Sequence, residues 1–346
     1  MARETVPSAG AVRPELVAFD AALEADNIIA HWRREFGPPG PTSQGEPCLW
    51  KWERIHQHLL TAADLIGVQE AGRRTLHLCP PGMHATTHTL SMCVQLNKPG
   101  EIATAHRHTM TALRFIIQGT GAYTTVEGEA VALYPGDLVT TPSWGYHDHW
   151  VEPNGSEPVI WVDGLDSPFV YLLDAKFSNQ FPQPQQPRTV RADFTRDLQG
   201  VVRPVGHEGD PVHQPAVYRW TEVRPALERF AQDDGDPCDG VVLDYVNPVT
   251  GGHMGPTIGC RIQMLRVGER TMGHRHTASA AYHVVEGEGV TLVGDRQLEW
   301  SKGDCFNIPN WQWHRHEQRG GSPAVLWSMH DQPVYEAVGL YREERR

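Results

Sequence analysis

Hydrophobic and polar residues alternate along two long parts of the chain, a pattern that predicts short β-strands. Leu113, Phe115 and Ile117 are spaced by two, a Gly119-x-Gly121 turn follows, and residues 123–126 resume a strand. Strands of this kind are predicted from about residue 75 to 173 and again from about 256 to 331. The 346 residues include 33 glycines and 27 prolines, which fit a mostly β chain with many turns.

Apolar residues at helical spacing predict four helices outside these strands. In the first, over 14–36, Leu16, Phe19 and Leu23 lie along one face before a Gly-Pro-Pro-Gly stop at 37–40. The others are predicted at 52–66, around 221–231 and over 335–346. A proline-rich stretch at 178–190 has no periodicity and marks a boundary region.

The chain contains one motif twice. In both copies five residues separate a glycine from a His-x-His pair, and a second glycine, a Gly-Asp turn, a proline and another His-x-His pair follow. The first copy comprises Gly100, His106, His108, Gly119, Gly136, Asp137, Pro142, His147 and His149, and the second Gly268, His274, His276, Gly287, Gly303, Asp304, Pro309, His314 and His316. Two copies indicate two related domains, the number expected for 346 residues.

The repeated histidines have the spacing of metal ligands. Side chains alternate along a strand, so His106 and His108 face the same side, and His147 can join them from a distant strand. Three imidazoles suit iron, zinc, copper or nickel, and three protein ligands leave positions open for catalysis. The second copy offers the same donors in His274 and His276, with His314 as the third.

Residues 100–149 resemble the cupins, small jelly-roll β-barrels that hold a metal inside the barrel. The doubled motif, with Gln95 upstream and a run from His106 through Arg114 to Phe115, is similar to the bicupin ring-cleaving dioxygenases that act on gentisate, salicylate or 1-hydroxy-2-naphthoate. The resemblance covers the chain from about Leu49 to its end. Neither copy has the glutamate that most cupins place after His-x-His, which argues against oxalate-degrading and germin-like cupins.

The resemblance implies a bicupin of two jelly-roll barrels preceded by N-terminal helices. We therefore predict a helical arm at 1–74, a catalytic N-terminal barrel at 75–177, a linker with a short helix at 178–250 and a C-terminal barrel at 251–346. The family is typically tetrameric, so a homo-oligomer is expected.

The resemblance also assigns roles to matching residues. It implies Fe(II) as the cofactor and a small aromatic carboxylate with O2 as substrates. His106, His108 and His147 would bind the iron, Arg114 would hold the substrate carboxylate through a charge-assisted bond, Gln95 would lie near the substrate, His149 would act as an acid or base, and Asp163 would orient His149.

The second copy departs from the first. Tyr282 stands at the position of Arg114, and Asp163 aligns roughly with Met329, so the carboxylate clamp is expected to be missing there. Chemistry is therefore predicted in the N-terminal barrel. His274, His276 and His314 remain a possible second metal site.

Alternatives stay open at this point. One is a different metal-dependent cupin enzyme, such as an isomerase or a thiol or diketone dioxygenase, and another is a non-catalytic bicupin. Within the ring-cleaving dioxygenases, gentisate is the first choice of substrate. Met110 and Thr111 stand where gentisate enzymes often carry polar residues, so salicylates and 1-hydroxy-2-naphthoate remain alternative substrates.

Charge and composition limit the partners and the compartment. The net charge is −12 with acids and bases well mixed, which argues against nucleic acid or an anionic membrane as partner. The N-terminus lacks the apolar core of a signal peptide, and no apolar run approaches the ~20 residues of a membrane span. The six cysteines form no Cys-x-x-Cys pair, so a cytoplasmic protein with reduced thiols is predicted.

Overall fold

The computed structural model describes residues 13–33, 37–200, 202–213 and 215–346. It divides the chain into two compact units, Met1–Thr42 and Ser43–Arg346. In the first, helix α1 covers Pro14–Ala25 and a 3₁₀ turn covers His31–Arg33. The prediction of one helix over 14–36 is therefore wrong beyond Ala25, and residues 34–36 lie outside the described residues. Asn27 adopts a left-handed backbone with φ of 59°, a conformation that ends helices.

The second unit holds the other helices and the strands of the described residues. The helices are α2 (Trp52–Leu65), α3 (Val68–Ala71), α4 (Ser167–Leu172), α5 (Phe194–Leu198), α6 (Trp220–Phe230) and α7 (Gln332–Ala337). The strands to residue 218 are β1 (Leu49–Trp50), β2 (Thr75–His77), β3 (Ser91–Asn97), β4 (Ile102–His108), β5 (Ala112–Gln118), β6 (Ala122–Val126), β7 (Glu129–Leu133), β8 (Leu138–Thr141), β9 (His147–Val151), β10 (Val159–Leu165), β11 (Ser178–Gln180) and β12 (Val217–Tyr218). The later strands are β13 (Val241–Asp244), β14 (Gly259–Leu265), β15 (His274–His276), β16 (Ala280–Glu286), β17 (Glu288–Val293), β18 (Arg296–Ser301), β19 (Cys305–Ile308), β20 (His314–Arg319), β21 (Ala324–His330) and β22 (Glu343–Arg345).

These strands form two barrels of two sheets each. The first combines a six-stranded sheet of order β12-β8-β5-β10-β3-β2 with a five-stranded sheet of order β11-β4-β9-β6-β7. The second combines β1-β19-β16-β21-β14-β13 with β18-β17-β20-β15-β22. The predicted mostly β fold with two jelly-roll barrels is confirmed.

The two six-stranded sheets share one hydrophobic core. It includes Val94, Phe115 and Val162 from the first barrel, and Ile262 and Trp327 from the second. The rings of Phe115 and Trp327 stack with centroids 5.0 Å apart. Full burial of such a side chain contributes about 1.5–3 kcal/mol. Because side chains alternate along a strand, the residues between these positions face the barrel interiors.

Each barrel gains an edge strand from a segment outside its own copy of the motif: the second barrel from the N-terminal segment, and the first barrel from the segment between the two copies. Strand β1 pairs with β19 of the second barrel, and β12 pairs with β8 of the first. Strand β13, inside the segment predicted as a linker, pairs with β14 of the second barrel. The arm and the linker thus contribute strands to the barrels, which a linear division of the sequence does not represent.

The repeated Gly-Asp turns anchor the helices that follow these exchanged strands. Asp137 accepts a hydrogen bond from the Trp220 backbone N–H at 2.9 Å, and Asp304 accepts one from the Trp52 N–H at 2.7 Å. A Cβ atom on Gly136 would lie 2.4 Å from the Trp220 ring. The glycine therefore makes room for the tryptophan, and the aspartate holds the start of the helix.

The C-terminal prediction needs a correction. Residues 335–346 do not form one helix: α7 ends at Ala337, Gly339 has a φ of 72°, and β22 pairs with β15. The glycine ends the helix, and the open edge of β15 supplies hydrogen-bond partners for the last residues. Among the described residues, no helix has the length and apolar character needed to cross a bilayer, and all six cysteines are free.

Candidate metal centre and active site

Three predicted metal ligands meet inside the first barrel. His106 and His108 lie on β4, and His147 begins β9, directly opposite His106 in the strand pairing. One ring nitrogen from each residue lies within 4.8 Å of the others. The ring centroids are 4.4–5.3 Å apart. The structure therefore brings together the donors that the His-x-His spacing suggested.

Backbone carbonyls orient two of these rings. The Nδ1 atom of His108 lies 2.8 Å from the Met110 carbonyl oxygen, and Nδ1 of His147 lies 3.0 Å from that of Gly145. A proton on Nδ1 donates to the carbonyl and leaves the Nε2 lone pair free, which is the tautomer that a metal needs.

His106 has two neighbours at Nδ1. The Thr104 carbonyl oxygen lies 3.0 Å away and would accept a proton from it, whereas Nη2 of Arg73 lies 2.7 Å away and would donate one to it. Only the first arrangement leaves Nε2 unprotonated. In that arrangement Arg73 still has a hydrogen-bond acceptor, because its Nη2 donates to the Thr104 carbonyl oxygen at 3.0 Å. We therefore take the Thr104 contact as the one that fits a metal ligand.

All three imidazoles are held neutral. Burial, reinforced by the nearby Arg73 charge, lowers the pKa of His106 to about 3, and burial lowers that of His108 to about 4. The pKa of His147 is also well below its ordinary value, through burial and then the charge of Arg114. Neutral rings with free Nε2 atoms fit a divalent transition metal.

Arg114 faces this triad from the other sheet of the barrel. It lies on β5 and is 3% exposed. Its Nη1 donates to Thr141 Oγ1 at 2.8 Å, and its Nε lies 3.4 Å from Asp163 Oδ1. A turn separates β4 from β5, so Arg114 approaches the triad from a different strand and a different sheet than His106 and His108.

The predicted pairing of Asp163 with His149 is not what the structure shows. The ring nitrogen Nδ1 of His149 lies 2.8 Å from Thr124 Oγ1, while the Asp163 carboxylate lies beside Arg114. His149 is 2% exposed, and burial and then the Arg114 charge lower its pKa well below the ordinary value. It is thus a neutral imidazole oriented by a threonine.

Gln95 lies on the same sheet face as Asp163, and both of its polar groups have partners. Its Oε1 accepts from Thr75 Oγ1 at 3.1 Å, and its Nε2 donates to Asn97 Oδ1 at 3.1 Å. A neighbouring residue, Cys93, stands opposite Asp163 in the strand register. Because side chains alternate along a strand, the position of Gln95 was enough to predict that Cys93, two residues earlier, lies on the same face of β3.

Arg73, by contrast, gave no signal in the sequence. It precedes β2, outside both copies of the motif, and only the fold brings it to His106. Arg73 and Arg114 make the surroundings of the first triad cationic, although the chain as a whole carries a net charge of −12.

The second triad repeats the geometry of the first. His274 and His276 lie on β15 and His314 on β20, with one ring nitrogen from each within 4.8 Å of the others. The Nδ1 atoms of His276 and His314 lie 2.8 and 2.9 Å from the carbonyl oxygens of Ala278 and Gln312. A second metal site is therefore geometrically possible.

The strand register corrects the comparison of the two barrels. Arg114 pairs with Asp163, and Tyr282 pairs with Ser328, so Ser328 and not Met329 corresponds to Asp163. On the far side of Ser328 stands Arg261, at the position of Cys93 in the first barrel. Tyr282 leaves no arginine at the position of Arg114, but Arg261 places a cation on another strand of the same sheet, which the aligned motif did not indicate.

Comparisons with known proteins agree with this arrangement. The cupin domain model matches residues 94–165 and 261–330. The chain is 36% identical to 5-aminosalicylate 1,2-dioxygenase of Comamonas sp, over 95% of this chain and 90% of that protein. It is also 36% identical to gentisate 1,2 dioxygenase 1 of Aquipseudomonas alcaligenes, over 97% and 98%. A crystal structure of salicylate 1,2-dioxygenase from Pseudoaminobacter salicylatoxidans in adducts with gentisate has 28% identity, covers 100% of this chain and 97% of that chain, and gives a TM-score of 0.86.

The fold, the paired triads and the relatives together define a bicupin oxidoreductase. More particularly, the chain belongs to the family of ring-cleaving dioxygenases that includes the gentisate and salicylate 1,2-dioxygenases.

Proposed function

We propose that this chain is an Fe(II)-dependent dioxygenase that opens the ring of a 2-hydroxybenzoate between the carbons bearing the carboxyl and hydroxyl groups. Both atoms of O2 enter the ring-opened product. The observation that carries the proposal is the neutral triad of His106, His108 and His147 facing the buried cation Arg114 across one barrel.

The donor set fits iron. Three nitrogen ligands suit Fe(II) and leave positions for substrate and O2. Bound there, the iron would supply a Lewis-acid and redox centre that holds the two reactants together. The protein orients the imidazole rings of His108 and His147 through the Met110 and Gly145 carbonyls. The burial of the triad excludes water from it.

The positive charge around the triad selects an anionic substrate. Arg114 has its Nη1 bound to Thr141 and its Nε beside Asp163, and no hydrogen bond within the described residues uses its Nη2. That N–H group is available to a substrate carboxylate, in a charge-assisted bond. Asp163 holds the guanidinium in place and offsets the cost of burying it.

His149 is suited to proton transfer. It follows His147 by two residues on β9, with ring centroids 5.8 Å apart, and Thr124 fixes its orientation. A neutral imidazole beside the metal can accept a proton from a ring hydroxyl and return it to the product. We assign His149 this role, and Gln95 a role in shaping the adjoining wall.

Gentisate is the substrate we propose first, with salicylates and 1-hydroxy-2-naphthoate as the alternative. The relatives above are named for gentisate, salicylate and 5-aminosalicylate, which all carry a hydroxyl beside the carboxyl. An electron-donating group at position 5, as in gentisate and 5-aminosalicylate, eases attack by oxygen on the ring.

We further propose that the protein is a cytoplasmic homo-oligomer, a tetramer as in its family. The first unit exposes large apolar side chains, with Phe19 50% and Trp32 61% exposed. Such residues suit a contact between subunits. Light scattering would show a mass of about four times 38.7 kDa, and a monomeric mass would contradict the proposal.

An oxygen-uptake assay tests the activity. Fe(II)-loaded protein is given gentisate, 5-aminosalicylate, salicylate and 1-hydroxy-2-naphthoate, with 3-hydroxybenzoate as a control that lacks the adjacent hydroxyl. We expect one O2 consumed per gentisate and a product that contains both oxygen atoms by mass spectrometry. Equal turnover of 3-hydroxybenzoate, or a product with one oxygen atom, would contradict the proposal.

A further inference from the structure

The second barrel differs from the first in ways that point to a separate ligand site. We propose that His274, His276 and His314 bind a divalent transition-metal ion, and that Arg261 and His330 beside them hold a small oxyanion of the size of formate or bicarbonate. This site is distinct from the one proposed for ring cleavage.

Two of the three histidines point to a metal ion in the second barrel, because each has a buried ring nitrogen to which no described residue forms a hydrogen bond. Nε2 of His274 and of His314 is buried and has no hydrogen-bond partner among the described residues. Carboxylates lie close to His274: Asp239 Oδ1 is 3.6 Å from its Nε2, and Glu343 Oε1 is 3.9 Å from its Nδ1. At the corresponding His106 the charged neighbour is an arginine. An acidic environment favours retention of a cation.

The anion half begins with a buried histidine that has no partner. His330 is 3% exposed, and neither of its ring nitrogens has a hydrogen-bond partner in the described part of the chain. Buried polar groups are normally paired, so an orphan of this kind indicates a missing ligand or water. Gly259, opposite it in the register, makes room for the ring, since a Cβ there would lie 2.3 Å from it.

The first barrel has no equivalent of this histidine. Leu165 stands in the corresponding register, opposite Ala112 as His330 is opposite Ala280. His330 and Ser328 are two residues apart on β21, so both face the side on which the triad lies. The imidazole is therefore a polar addition peculiar to the second barrel.

Arg261 supplies the positive charge. Its Nε donates to Asp244 Oδ1 at 2.9 Å and its Nη2 to Gln332 Oε1 at 3.0 Å, and no hydrogen bond within the described residues uses its Nη1. Arg261 lines one enclosed cavity together with His274, His276 and His330. A metal ion with an adjoining guanidinium and imidazole is the chemistry that binds an oxyanion.

The size of the cavity limits the ligand. The space open to the centre of a water-sized molecule is only about 10 Å³, roughly enough for one water, so an anion beside the metal has to be among the smallest. The rings of Tyr282 and Phe306 stack 4.7 Å apart at the register positions that Arg114 and Val139 occupy in the first barrel. These two rings fill space that an aromatic substrate would need, so we assign the second site to a small anion.

The metal is tested without reference to activity. The His147→Gln variant is stripped and reloaded with Co(II), dialysed and measured for bound cobalt, with circular dichroism to confirm the fold. We expect one Co(II) per chain, none after adding His314→Gln, and two in the parent protein. A His147→Gln variant that folds without cobalt, or a parent protein with one cobalt that His314→Gln leaves unchanged, would overturn the metal site.

The anion is tested on the cobalt spectrum of the same His147→Gln protein. Titration with formate should change the Co(II) absorption, and Arg261→Gln or His330→Leu should weaken formate binding by about tenfold or more, the loss of one charge-assisted bond. Arg261→Lys should weaken it less. An unchanged spectrum, unchanged binding in both variants, or binding of salicylate as tight as that of formate would overturn the anion assignment. None of these results bears on the proposal that ring cleavage takes place at the first triad.

Discussion

Arg114 and Asp163 face each other directly across β5 and β10, with 3.4 Å between Nε and Oδ1. Both are buried, at 3% and 7% exposure. The same row continues to Cys93 on β3. The Asp163 carboxylate therefore pairs with the arginine and not with His149, and the Nη2 group of the arginine is left for the substrate.

Replacing this arginine tests the carboxylate clamp. For Arg114→Gln we expect KM for the hydroxybenzoate to rise about 10–100-fold, because a hydrogen bond to a charged group is worth about 1.5–3 kcal/mol. Iron content should stay at the parent level. The matched control is Arg296→Gln, at an exposed arginine paired with Glu46 at 3.1 Å, which should leave KM unchanged. An unchanged KM in Arg114→Gln would show that the clamp lies elsewhere.

The hydroxyl of Thr124 positions His149. Thr124→Val removes the 2.8 Å hydrogen bond to Nδ1, so the ring loses its fixed tautomer, and we expect kcat to fall about tenfold, the worth of one buried hydrogen bond. KM and iron content should be near those of the parent. Thr124→Ser keeps the hydroxyl and should restore most of kcat. If serine were no better than valine, the hydrogen bond would have no part in catalysis.

The anchor of α6 makes a prediction about stability. Asp137 forms a buried ion pair with Arg219 and accepts the Trp220 N–H. Asp137→Asn removes the buried carboxylate that neutralises this guanidinium, and we expect the free energy of unfolding to fall by about 3–5 kcal/mol. Asp193, 55% exposed and 3.6 Å from the same arginine, is the control, and Asp193→Asn should cost at most about 1 kcal/mol. Equal effects in urea unfolding would refute the distinction.

Asp166 makes stability depend on pH. It accepts hydrogen bonds from the Thr111 N–H and the Thr257 hydroxyl, and burial raises its pKa to about 6. The folded state therefore holds this proton more tightly than the unfolded state, whose aspartates titrate near 3.9. Stability is greatest below the unfolded pKa and falls as pH rises through the folded pKa.

Asp166→Asn should remove this dependence. Between pH 5 and 7.5 we expect the parent to lose about 1 kcal/mol more of its free energy of unfolding than the variant does. Asp64→Asn, at a side chain 81% exposed, should follow the parent. A parent and an Asp166→Asn protein with parallel pH profiles would contradict a raised pKa at this residue.

Local spacing explains what could be predicted from the sequence. The His-x-His pairs specify a shared strand face through alternation alone, so both triads could be named before the fold was known. The Gly-Asp turns were visible as repeats, but their partners Trp52 and Trp220 come from segments more than 80 residues away in the chain. Pairing over such distances leaves no local pattern.

The remaining contacts of the site depend on how neighbouring strands are aligned, and the sequence alone does not specify this register. The family resemblance assigned Asp163 to His149, whereas the hydrogen-bonded register places it opposite Arg114. The motif gave no indication of Arg261, because the residue aligned with Arg114 in the second copy is Tyr282. A cation two strands away on the same sheet face is equivalent in space but not in the aligned motif.

The most direct test of the account is whether ring cleavage depends on the first triad. Oxygen uptake with gentisate is measured for the iron-loaded parent, for His147→Gln, and for His213→Gln at an exposed histidine with a side chain 58% exposed. We expect His147→Gln to lose its first-barrel iron and more than about a thousandfold of its rate, with His213→Gln equal to the parent. A His147→Gln enzyme that cleaves gentisate at the parent rate would contradict the central claim.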